Sequence, residues 1–66
     1  MGKRLSPLAR RLAAVRTKRG LTQMAAASLA GTDSTMWSRW ERGKVAPNRY
    51  TLEALVRAFP ELAEEA

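Results

Sequence analysis

The 66-residue sequence predicts an all-α fold, a compact bundle of four to five short helices. Three observations carry this. Apolar residues recur at three- and four-residue spacing. No stretch alternates apolar and polar residues long enough to make a strand. Glycines, prolines and capping residues cut the chain into short segments, and abundant alanine favours helix within them.

The elements follow in order. Ser6-Pro7 reads as an N-cap followed by proline at the first helical position, and Gly20 can close that helix in a left-handed conformation. Between them Leu5, Leu8, Leu12 and Val15 form a narrow apolar stripe, with Arg10, Arg11, Lys18 and Arg19 largely off it. Thr22 caps a second helix, "QMAAASLA", that ends at Gly31. Asp33 caps a third, from Ser34 to about Arg42, closed by Gly43. After the loop "KVAP", Asn48 caps a fourth helix whose expected buried stripe is Leu52, Leu55, Val56 and Phe59. Pro60 ends it and can start a last short turn.

Composition narrows the function. Sixty-six residues make one domain, residues 1–66, which buries only roughly 60% of its unfolded surface. With neither cysteine nor histidine, the chain has no disulfide framework, no thiolate metal site and no imidazole base. No pair of acids is placed for general acid–base work. The expectation is a non-enzyme without cofactor, metal or small-molecule ligand.

Charge is lopsided. Residues 1–50 hold eleven Lys and Arg against Asp33 and Glu41, a net of +9; residues 51–66 hold Arg57 against four glutamates, a net of −3. A basic body points to a polyanion partner. The longest uncharged run, Gly20 to Thr32, is too short to span a bilayer, and no secretory signal is evident. The expected protein is intracellular and soluble.

The turn Gly31-Thr32-Asp33 joins helices two and three. A sharp glycine turn between short helices marks a helix-turn-helix, about residues 22–42, whose second helix enters the DNA major groove. Ala27 supplies the small side chain that a steep crossing requires, and Trp37 and Trp40 share the face of helix three directed at the core. Ser34, Thr35, Ser38 and Arg39 occupy the remaining face.

From Leu12 to Phe59 the chain resembles the Xre/Cro-type helix-turn-helix family of phage repressors and small bacterial regulators, with a lambda repressor-like domain. The residues that carry the likeness are "LAAVRTKRGLTQ", the Ala27–Gly31 spacing, "WSRWERGKVAP" and "LEALVRAF". Two departures stand out. Ala26 and Ala30 replace Leu-like residues, while Trp37 and Trp40 replace Ile- or Val-like ones, a pattern that conserves core volume.

The resemblance implies roles for particular residues. Ser34, Thr35 and Arg39 match base-reading positions, with Ser38 and Met36 weaker candidates; arginine suits guanine O6 and N7. Arg39, five residues after Ser34, is expected near the same face, with the length to reach a base from further along. Gln23, at the amino end of helix two, and Arg42, Lys44, Asn48 and Arg49, around the loop after helix three, match phosphate contacts. Tyr50 can donate to a phosphate or simply pack. Arg16 and Glu41 match an internal ion pair, expected to be mostly buried.

The partner implied is double-stranded operator DNA, bound by a homodimer, as a small Cro-like repressor would bind it. The surface after Phe59, including Leu62, is the expected dimer interface. The rival reading is a basic helical module that binds an acidic protein or an anionic membrane surface.

Overall fold

The computed structural model describes residues 6–64, so Leu5 of the expected apolar stripe lies outside the described residues. Four α-helices run α1 (Pro7–Lys18), α2 (Gln23–Ala30), α3 (Ser34–Glu41) and α4 (Arg49–Ala58), followed by a 3-10 turn, Pro60–Glu64. Each α-helix starts where a side-chain oxygen takes up an otherwise unpaired first-turn N–H. Ser6 Oγ accepts from Ala9 N at 3.1 Å, Thr22 Oγ1 from Ala25 N at 3.0 Å, Asp33 Oδ1 from Met36 N and Asn48 Oδ1 from Thr51 N, both at 2.8 Å.

The connection between α2 and α3 depends on Gly31, whose φ is +78°. There the chain reverses tightly enough for Thr32 N to donate to Ala27 O at 2.8 Å. A Cβ on Gly31 would meet nothing within 4 Å, so the left-handed backbone, not crowding, calls for glycine. Helix α3 therefore leaves α2 after only three residues, Gly31 to Asp33.

The core is built from all five elements: Leu12 from α1, Ala26, Ala27 and Ala30 from α2, Trp37 and Trp40 from α3, Leu55 from α4, with Phe59 and Leu62 beyond it. Aromatic rings occupy its centre. Trp37 lies 5.8 Å from Trp40 and 5.6 Å from Phe59 between ring centroids, both pairs tilted, a favourable edge-on arrangement. The three alanines of α2 let that helix approach these large rings. Small residues on α2 and large ones on α3 thus share one core.

Helix α4 corrects two expectations. Leu52, expected in the buried stripe, is 37% exposed, and Val56 is only half-buried. At about 100° per residue, Leu55 is flanked by Thr51 and Ala58 on one side and by Leu52 and Val56 on the other. Thr51 and Ala58 are half-buried, so the helix leans on its smaller-residue side. Leu62, expected on a dimer surface, is instead only 8% exposed and packs in the chain's own core.

Two arginines of the first helical segment hold the 3-10 turn that carries Leu62. Arg11 Nη2 donates to the carbonyls of Glu61 and Leu62, each at 3.0 Å. Arg19, the residue that ends α1, pairs with Glu61 through Nε–Oε2 at 2.9 Å and Nη2–Oε1 at 2.7 Å, and its guanidinium lies 4.4 Å from the centre of the Phe59 ring. By sequence both arginines belong to a general basic surface; in the fold they fasten the end of the chain to its beginning.

Leu62→Ala is expected to cost about 2–3 kcal/mol, and Leu52→Ala less than about 1 kcal/mol. Urea unfolding of the two variants checks this. Equal losses would contradict the burial described.

Candidate nucleic-acid interface

The orientation of α3 is fixed by a carboxylate at its last residue. Glu41 accepts from Arg16 Nε at 2.6 Å and Nη2 at 3.2 Å, from Gln23 Nε2 at 3.0 Å, and from the Trp37 indole Nε1. Arg16 also donates Nη1 to Leu21 O at 2.9 Å, at the entry to α2. One carboxylate therefore joins α1, α2 and α3. Burial tends to raise the Glu41 pKa, but hydrogen bonds from Arg16, Trp37 and Gln23 outweigh it and hold the carboxyl below its ordinary value. The same pairing raises the Arg16 pKa.

The pair is less buried than expected. The Glu41 side chain is 9% exposed, but that of Arg16 is 21% exposed at the rim of the domain. Water can therefore still reach the guanidinium, and the cost of stranding a fully buried charge does not apply.

With Trp37 and Trp40 turned inward, the outward side of α3 carries Thr35 and Arg39, both exposed, with Ser34, Met36 and Ser38 half-buried beside them. Thr35 and Arg39 are four residues apart and so lie about 40° apart around the helix. The expected alignment of Arg39 with Ser34 is corrected: five residues turn the helix through about 500°, which leaves the two about 140° apart. Arg39 lines up with Thr35.

Further exposed cations continue from the end of α3. Arg42 follows it, Lys44 lies in the loop, and Arg49 opens α4 beside Asn48. The side chains of Thr35, Arg39, Arg42, Lys44 and Arg49 make no hydrogen bond or ion pair with the described residues. Asn48 differs, because its Oδ1 caps α4 and only its amide N–H groups remain. Gln23 differs too: its Nε2 is engaged by Glu41, a partner that its place in the sequence gave no sign of. Tyr50 is 76% exposed, so it does not serve the core.

Among the described residues no three His, Cys, Asp or Glu side chains form a metal-sized cluster, and no helix is long and apolar enough to cross a membrane. What the arrangement offers is a short helix held rigidly from behind, with a hydroxyl and a guanidinium in front and unpaired cations alongside. Those groups donate to acceptors and neutralise anions.

A family model described as a helix-turn-helix domain matches residues 7–65, all but the first six residues and the last. The chain belongs to this helix-turn-helix domain family, consistent with the Xre/Cro type that its motifs resemble. Its class is that of DNA-binding regulators. No curated protein and no solved structure matches it.

The depressed Glu41 pKa makes a signed prediction. A carboxyl with its folded pKa below the ordinary value of 4.5 contributes stability above that pH and loses it as acid carries the pH down through the folded value. The melting midpoint is expected to fall below about pH 4.5, and Glu41→Gln to flatten that part of the curve. At neutral pH the same variant is expected to cost about 1.5–3 kcal/mol, as for hydrogen bonds to a charged group. A midpoint unmoved by the substitution would show that the carboxylate does not hold the helices.

Proposed function

We propose that the chain, acting as a single domain, is a sequence-specific transcriptional regulator that represses from a two-fold operator in the manner of a small Cro-like protein. The observation that carries this is the pair Thr35 and Arg39, exposed and unpartnered on one line of a helix whose opposite face is locked into the core. Thr35 offers a hydroxyl or methyl group to a base edge, and Arg39 two parallel N–H donors to guanine O6 and N7. Ser34 and Ser38 flank that line and supply shorter contacts. Arg42, Lys44 and Arg49, with the amide of Asn48 and the second N–H of Gln23, take phosphates and set the register without reading sequence.

One recognition helix covers only a few base pairs, too few to select a site among genomic competitors, so two copies on a two-fold site complete the reading. The expected setting is a cytoplasm in which the partner DNA is accessible. Nothing in this chemistry requires a cofactor or a catalytic step.

Two substitutions separate reading from positioning. Arg39→Ala is expected to weaken binding to the true operator by about 1–3 kcal/mol, and binding to random DNA much less. Lys44→Ala is expected to weaken both alike and to flatten the salt dependence by about 0.9 in log–log slope, one phosphate's share. Gel shifts at two or more salt concentrations, after selection of the operator from random duplexes, measure both. If Arg39→Ala weakens operator and random DNA equally, that side chain contacts phosphate, and base choice passes to Ser34, Thr35 and DNA shape. Binding indifferent to DNA sequence throughout would favour a basic module for acidic proteins or membrane surfaces.

A further inference from the structure

Between the helix-turn-helix and the first turns of α4 the surface opens into a cleft of about 450 Å³. Its walls come from the end of α2 and the turn after it, one flank of α3, the loop beyond α3, and α4. Ala30 and Trp40 line it while staying almost wholly buried, so they form its floor. Met36, Val45, Pro47 and Ala54 supply apolar sides. Tyr50 stands at the rim, its side chain exposed.

Charge, polar groups and size together say what fits. None of the twelve lining residues is charged, although Lys44 and Arg49 each adjoin a lining residue in a chain of net charge +6. A carboxylate or phosphate would leave water for walls that hold no cation, a cost that keeps anions on the open surface outside. The hydroxyls of Thr32, Tyr50 and Thr51 make no hydrogen bond with the described residues, so they are free to bond a hydroxyl or carbonyl. A cavity of roughly 150 Å³ is enough for benzene, so two fused rings with a small substituent enter without forcing the walls apart. The rings of Trp40 and Tyr50 and the thioether of Met36 favour an aromatic guest.

We propose that this cleft is a binding site for an uncharged, two-ring aromatic molecule that carries one hydroxyl or carbonyl group. Apolar walls with a few convergent polar groups are the usual make-up of a small-molecule site. The site stands on its own chemistry, whether or not the chain binds DNA. It revises the expectation of no small-molecule ligand, which rested on composition. The lining residues come from separate segments and meet only after folding, so composition gave no sign of them. The cleft is open to solvent, which limits the area a guest can bury and keeps its affinity modest.

The test is a titration of the isotope-labelled full chain with 2-naphthol, followed by amide and indole N–H chemical shifts. Salt of about 0.5 M screens the free cations. Helicity and melting midpoint check the folding of each variant. 2-Naphthol is expected to shift the amides of Thr32, Met36, Val45 and Thr51 and the indole N–H of Trp40. The shifts are expected to saturate, with a dissociation constant on the order of 1 mM. 2-Naphthoate, the same rings with a carboxylate, is expected to bind there at least about tenfold more weakly. Ala54→Phe places a ring of the chain's own in the cleft and is expected to abolish the shifts. Tyr50→Ala alters only an exposed side chain, so it reads out binding even if Ala54→Phe unfolds. Its expected loss of affinity is roughly three- to tenfold. Shifts scattered over the surface or without saturation, or 2-naphthoate bound as tightly as 2-naphthol, would overturn the proposal. So would affinity unchanged in Tyr50→Ala or in a folded Ala54→Phe.

Discussion

The carboxylate of Glu41 sets the geometry on which the rest of the domain depends. Helix α3 has only eight residues, too short to hold its conformation or direction by itself. Its far end is fixed because one side chain gathers donors from α1, from α2 and from α3 itself. The indole N–H of Trp37 shares in that arrangement, so the buried ring is satisfied as a donor as well as packed. A short helix anchored in this way presents its outer side chains at a defined angle without needing many residues.

The aromatic core is the second constraint. Two tryptophans and a phenylalanine fill the space between the three buried alanines of α2 and the buried leucines Leu12, Leu55 and Leu62. Such rings leave few rotamers open, so they specify where α3 lies more sharply than small aliphatic residues would. Because Trp37 and Trp40 consume the inner face of α3, the outer face is left to Thr35, Arg39 and their half-buried neighbours. Core packing and the choice of exposed side chains are two consequences of one helical period.

The positive charges divide into two groups with different work. Arg11, Arg16 and Arg19 are spent internally, on carbonyls, on Glu41 and on Glu61 beside the Phe59 ring. Arg39, Arg42, Lys44 and Arg49 stay unpaired, from the middle of α3 to the start of α4. Net charge alone overstates the basic surface available to a polyanion. The glutamates near the end of the chain are not merely excess acid either, since Glu61 secures the 3-10 turn and with it the burial of Leu62.

The sequence by itself determined the helices, their caps and the turn between α2 and α3. These depend on interactions within a few residues: a hydroxyl, carboxylate or amide oxygen at each N-cap, and a glycine free to take positive φ at residue 31. It also determined which face of α3 turns inward, because two large rings three residues apart leave a helix only one way to bury both. Tertiary structure decided what depends on distant partners. Whether Leu52 or Leu62 is buried follows from the lean of α4 and from Arg11 and Arg19, more than forty residues away from Leu62 in sequence. Gln23 becomes a partner of Glu41 only because α2 and α3 converge there. Local periodicity ranks the apolar faces of a helix but cannot choose between two of similar strength. That choice belongs to whatever packs against them.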